Sequence, residues 1–143
     1  MGILNYTTKV DSIKTVGEIQ GILAKHGASN ISIDYINREP VGLCFTIPFK
    51  NEFLNFRLPS NAEGVYLTMK RDRSIPPRLR TMEQARRVAW RITKDWVESQ
   101  LAIIEAGLAT MPEVLFPYLL NERGETLFNS FVNNSQKYLK SGK

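Results

Sequence analysis

The sequence predicts an α+β domain with an N-terminal helix, a four-stranded antiparallel meander, a long helix packed on that sheet, and one or two shorter C-terminal helices. Three observations predict it. Apolar residues follow helical spacing up to Gly27, alternate with period two from Ile31 to Met69, and return to helical spacing from Met82 onward. The connections between the alternating runs are short, as antiparallel neighbours require. A chain of 143 residues that is 43% hydrophobic and 10% aromatic suits one globular domain with its own core. Residues 1–10 and 140–143 are expected to be flexible ends.

Thr15-Val16-Gly17-Glu18 has the form of a capping box, in which Thr15 accepts an orphan amide and Glu18 reaches back; Asp11 or Ser12 offers a cap one turn earlier. Val16, Ile19, Ile22 and Leu23 recur at helical spacing, and Gly27 is a natural left-handed stop, which sets the first helix at about 13–26. Ile31, Ile33 and Tyr35 then alternate with Ser32, Asp34 and Ile36 as the first strand, followed by a turn at 37–40. Val41, Leu43, Phe45, Ile47 and Phe49 form the second strand, where Pro48 implies an edge or a strand end. Leu54, Phe56 and Leu58 face inward on a third strand closed by Pro59. After a loop at 60–64, Val65, Leu67 and Met69, with Tyr66, Thr68 and Lys70 opposite, read as the fourth strand.

The connection 71–80 contains Pro76-Pro77 and is too polar and kinked for regular structure. Thr81-Met82-Glu83-Gln84 is a second capping box and opens a helix of about 82–106 that stops at Gly107. Met82, Ala85, Val88, Ala89, Ile92 and Trp96 form its apolar stripe. Val97, Leu101, Ile103, Ile104 and Leu108 make its second half apolar nearly all round, so the sheet, the later helices or a second subunit must cover it. A two-fold homodimer through residues 97–108 follows as one solution. Pro112 suits the first turn of a short helix through Leu115, Pro117 breaks or restarts it, and Leu127 to Leu139 define a last helix of about 125–139.

Charge is the least evenly spread property of the chain. Residues 70–94 hold nine of the 19 Lys and Arg against two acids, Asp72 and Glu83, so this stretch is +7 while the rest sums to −2. Charge concentrated in this way points to a polyanionic or acidic partner. Arg80, Arg87, Arg91 and Lys94 fall near one side of the long helix, and Arg71, Arg73 and Arg78 lie in the connection that feeds it. On the third and fourth strands as read here, Phe53 and Arg57 share an outward face with Tyr66 and Lys70. Bases beside aromatics can pair with phosphates while the rings stack on unpaired nucleobases. Arg91–Asp95 and Lys94–Glu98 are also i,i+4 pairs that would simply support the helix.

Several function classes are excluded or disfavoured. One histidine, His26, and one cysteine, Cys44, cannot build an ordinary zinc site, and His26 reads as a helix-end cation. Cys44 reads as a buried small hydrophobe in a reducing compartment. Asp95, Glu98 and Glu105 read as surface carboxylates rather than metal ligands, and Gly17-x-x-x-Gly21 is no phosphate loop. No catalytic motif, cofactor site, secretory signal, myristoylation pattern or membrane span is present in the sequence pattern, and a cytoplasmic protein is expected.

Three stretches, Lys14-Thr15-Val16-Gly17-Glu18-Ile19-Gln20, Phe56-Arg57-Leu58-Pro59 and Gln84-Ala85-Arg86-Arg87-Val88-Ala89-Trp90-Arg91, resemble a family of small uncharacterised bacteriophage and prophage proteins. The resemblance implies a viral or mobile-element setting in a bacterial host cell and carries no activity or site residue. The order of four strands and a long helix is similar to Whirly-type single-strand binders at the level of fold. The function expected from these readings is sequence-tolerant binding of nucleic acid, single strands favoured, by Arg71, Arg73, Arg78, Arg80, Arg87 and Arg91 with Lys70 and Arg57, and stacking on Tyr66 or Phe53. The alternative is a protein-binding module that docks the same arginines on an acidic surface of a host enzyme or defence protein.

Overall fold

A computed structural model of the chain describes residues 2–134 and Leu139. Helix α1 spans Ser12–Lys25 and buries Val16, Ile19 and Leu23, the stripe its spacing dictates. It ends as expected: Gly27 takes φ +99°, and the amides of Gly27 and Ala28 return to Ala24 O and Leu23 O. Its start differs from the expected capping box. Asp11 is the N-cap residue, Thr15 is fully buried one turn inside, and Glu18 turns to the long helix instead of back to its own backbone.

The sheet has three strands, not four: β1 Asn30–Ile36, β2 Glu39–Phe49 and β3 Glu52–Arg57, antiparallel in the order β1-β2-β3. Asn37 and Arg38 both hold positive φ, 50° and 67°, the backbone a two-residue hairpin needs to match strand twist. Leu43, Phe45 and Ile47 of β2 face the core beside Phe56 of β3, and the Phe45 and Phe56 rings stack at 5.3 Å. The opposite face carries Ser32, Cys44, Thr46, Phe53, Asn55 and Arg57. Cys44 is accordingly a half-buried free thiol on the outer face, not a core residue. The free edge of β3 is closed by a bridge from Phe56 to Leu119 and by the Leu120 amide on Asn55 O at 2.8 Å.

The segment expected as the fourth strand is helix α2, Ala62–Arg71. Asn61 caps it by accepting the Gly64 amide at 2.9 Å, Glu63 sits in its first turn, and Lys70 and Arg71 sit in its last, each charge suiting the helix dipole. Val65, Tyr66 and Met69 then lie on one face, which packs with Ile75 against Ala85 and Val88. A strand would have aligned Leu67 with Val65 and Met69; Leu67 is instead exposed.

Helix α3, Met82–Glu105, is the axis of the molecule and contacts α1 and α2. Thr81 caps it through the Gln84 amide at 3.1 Å. Trp90 is buried against the sheet, donating its indole N–H to Pro40 O at 3.0 Å. Val97 and Leu101 join a core with Met111 and Leu115 of α4, Met111–Leu115, and the Trp96 ring meets Tyr118 edge-on. Val97, Leu101 and Ile104 of the second half of α3 are thus covered inside the same chain, while Leu108, just past it, is 77% exposed. A short 3-10 turn, Phe116–Tyr118, follows α4, and α5 spans Leu127–Asn133, capped by Thr126. The expected last helix continues to 139; residues 135–138 fall outside the described part of the chain.

The N-terminal residues, expected as a loose end, are tied to α3. The buried Gln84 amide donates to Tyr6 O at 2.9 Å and Thr8 O at 2.8 Å, and Asn5 donates to Asp95 at 2.8 Å.

Candidate functional site

Seven of the nine bases in residues 70–94 divide into two groups with different surroundings. Arg87, Arg91 and Lys94 sit on α3 and are neutralised by the protein itself. Arg91 pairs with Glu18 of α1 at 2.8 Å, Lys94 with Glu98 at 2.6 Å and Glu18 at 3.6 Å, and Arg87 with Glu83 at 2.7 Å and Asp11 at 3.6 Å. Burial pushes the Glu18 carboxyl up, but the hydrogen bond and charge of Arg91, with Lys94 behind them, outweigh it and hold its pKa below the ordinary value. These groups therefore fasten the start and body of α1 to α3, so Arg87 and Arg91, both expected at the binding surface, carry internal counter-charges. Lys94–Glu98 is the expected i,i+4 pair; Arg91–Asp95 is not made, because Glu18 takes Arg91 and Asn5 takes Asp95.

The second group is Arg71 at the end of α2, Arg73 after it, Arg78 in the 3-10 turn Pro77–Leu79, and Arg80 just before α3. Among the described residues, none of the four has a carboxylate within 4.0 Å. The one acid in the connection, Asp72, is occupied locally. It accepts from the Ser74 hydroxyl at 2.6 Å and the Ser74 amide at 2.9 Å; these bonds, with the nearby charge of Arg80, lower its pKa, and they fold the loop. Ile75, 1% exposed, anchors the same loop on α3. Four guanidinium groups are thus carried on a connection that is pinned in the middle and bare at its charged positions.

The expected aromatic platform is not assembled. Tyr66 and Lys70 belong to α2, where the Lys70 ammonium lies 5.9 Å from the Tyr66 ring centroid and the ring packs on the second core cluster. Phe53, 70% exposed, and Arg57 lie on the outer sheet face, where Arg57 reaches Gly124 O at 3.4 Å. That face borders a cavity of about 510 Å³ lined by Ser32, Cys44, Thr46, Asn55 and Asn121. So β3 and α2 do not share a surface in the way a four-stranded sheet would have imposed.

Sequence reasoning missed Lys9, which the tied N-terminal segment brings to Arg78 and Arg87 around one cavity. Nothing local in Thr7-Thr8-Lys9 announces this; the signal is Gln84, a polar residue on the buried stripe of α3 that needed partners. His26 closes α1 against the end of α3. Its Nδ1 lies 2.8 Å from Ile22 O and its Nε2 2.5 Å from the Glu105 carboxylate, and the two acceptors raise its pKa by holding the doubly protonated ring. No group of His, Cys, Asp and Glu among the described residues is arranged to hold a metal ion, and no described helix is long and apolar enough to cross a membrane.

No protein-family model, curated protein or solved structure matches this chain.

Proposed function

We propose that the protein binds nucleic acid through the arginines of the α2–α3 connection, without reading sequence. The observation that carries this reading is that, among the described residues, no carboxylate lies within 4.0 Å of Arg71, Arg73, Arg78 or Arg80, while Arg87 and Arg91 are paired. A guanidinium left bare on an anchored loop is a fork of donors for phosphate oxygens, and each phosphate neutralised releases counterions. Lys70 at the end of α2 extends the positive edge. Arg57 and Phe53 form a separate surface and are not part of this contact. Phosphate contacts dominate the reading, and stacking on Tyr66 is not needed for it. The setting that fits is a mobile-element or phage protein acting in the host cytoplasm.

The test is anisotropy of labelled single- and double-stranded oligonucleotides at low salt. The reading expects binding of the wild type, loss of it when Arg71, Arg73, Arg78 and Arg80 are all changed to Ala, and retention in Arg91→Ala. Absence of binding by the wild type, or equal loss in both variants, contradicts it.

A second reading, docking on a host protein, is favoured by an apolar cleft of about 370 Å³ where Phe116 and Phe128 are more than half exposed. A purified complex that survives nuclease treatment and is lost in Phe128→Asp, but not in the arginine variant, would support it.

A further inference from the structure

Three cations from distant parts of the chain meet around one cavity of about 390 Å³. Its wall includes Thr7, Thr8 and Lys9 of the N-terminal segment, Arg78 of the 3-10 turn, and Gln84 and Arg87 of α3; no carboxylate of the described residues lines it. The wall is fixed rather than fortuitous. Gln84, 5% exposed, holds the N-terminal segment on α3 through the Tyr6 and Thr8 carbonyls, and its own carbonyl accepts from Arg87 Nη1 at 3.1 Å.

The charges can be apportioned. Arg87 is shared with Glu83 and Asp11, which line the neighbouring cavity, and its Nη1 is held by Gln84, so its charge is compensated and it shapes the wall. Lys9 and Arg78 have no carboxylate within 4.0 Å among the described residues. Two exposed like charges at one cavity, neither with a carboxylate within 4.0 Å among the described residues, leave a site that an anion would complete. A phosphate monoester carries about −1.5 to −2 at neutral pH and three acceptor oxygens, and the cavity lies within the roughly 300–1,000 Å³ usual for small-ligand sites.

We propose that this cavity is a seat for a phosphate monoester, occupied by the phosphorylated end of a nucleic-acid strand; the occupant rests on the function proposed above. Lys9 supplies the point charge, Arg78 the guanidinium fork and Thr7 a hydroxyl, against a wall that Gln84 and Arg87 hold in place. A chain end suits a pocket better than an internal diester, whose two ester arms both need an exit. The exposed arginines of the connection then hold the strand that leads away from it.

The experiment compares the full wild-type chain with Lys9→Ala, a residue outside the arginine connection. Inorganic phosphate, set against chloride at equal ionic strength, should raise the melting temperature of the wild type and have little effect on Lys9→Ala. A 5′-phosphorylated oligonucleotide should bind about ten- to a hundredfold more tightly than its 5′-hydroxyl twin, and Lys9→Ala should remove that preference without weakening the hydroxyl strand. No phosphate effect on the wild type, an effect undiminished in Lys9→Ala, or equal affinity for the two strands overturns the proposal. If neither strand binds while phosphate still protects through Lys9, the seat is supported and the nucleic-acid function is the part that fails.

Discussion

Arg91 and Arg73 are the same side chain in opposite circumstances, and substitution should separate them. Removing Arg91 leaves Glu18, which is already partly desolvated, with only Lys94 at 3.6 Å. Arg91→Ala should cost about 1–2 kcal/mol of stability in denaturant titration and leave nucleic-acid affinity nearly unchanged. Arg73→Ala should change stability by no more than about 0.5 kcal/mol and weaken binding. Ser12 offers a third case, because its hydroxyl is buried without a hydrogen-bond partner in the protein. Ser12→Ala is expected to be neutral or to raise stability by about 1 kcal/mol, since it removes a polar group whose desolvation is unrewarded. His26 titrates with a sign that can be checked. Its pKa is raised on folding, so its contribution is fully present below about 6.5, the unfolded value, and is lost as pH rises through the higher folded value. Stability of the wild type relative to His26→Gln should therefore shrink between slightly acidic and alkaline buffer; a pH-independent difference would contradict the doubly protonated bridge to Ile22 O and Glu105.

At the scale of elements, α2 is the informative case. Asn61 supplies its only side-chain cap, so Asn61→Ala should cost about 1 kcal/mol, and Leu67→Pro, in the helix interior, about 3 kcal/mol or more. A strand in this place would be nearly indifferent to the first change. The sequence left this segment ambiguous because Val65, Leu67 and Met69 satisfy period two, while Val65, Tyr66 and Met69 satisfy the helical period over the same few residues. Asn61 before Ala62-Glu63, with bases at the far end, was the cue that favoured a helix. By contrast α3 was legible in extent: its length, its Thr81 cap and its Gly107 stop all agree, while the buried Trp90 lay off the expected stripe and the Gln84 side chain left the capping box for Tyr6 and Thr8. The first helix was legible in extent but not in mechanism. Thr15 and Glu18 fit a local capping pattern, yet burial of Thr15 and the charge of Arg91, 73 residues beyond Glu18, took both side chains away from it. Local rules lose where a long-range partner offers more.

Across the whole molecule, the sheet and α1 occupy α3 along one side and α2 packs on its N-terminal half, so the connection between α2 and α3 is displayed at that end. The concentration of bases in residues 70–94 was readable from the chain alone. Which of them stay bare was not, because the acids that neutralise Arg87, Arg91 and Lys94 include Asp11, the N-cap residue of α1, and Glu18 within it, brought close only by folding. The same holds for Lys9, whose place beside Arg78 depends on Gln84. What the fold does to the basic stretch is divide it, using Arg87, Arg91 and Lys94 as internal fasteners and leaving Lys70, Arg71, Arg73 and Arg78 exposed, with Arg80 and Arg86 half-buried.

That division is tested most directly by the salt dependence of oligonucleotide affinity in the wild type and in the variant with Arg71, Arg73, Arg78 and Arg80 all changed to Ala. Four phosphate contacts predict a slope of log affinity against log salt of about −2.8 for single strands and about −3.6 for duplex, a fall of about 50- to 150-fold between 50 and 200 mM salt. In the variant both the low-salt affinity and the slope should collapse while the fold remains intact by circular dichroism. An affinity that is flat with salt, or a variant with the slope of the wild type, would contradict the account.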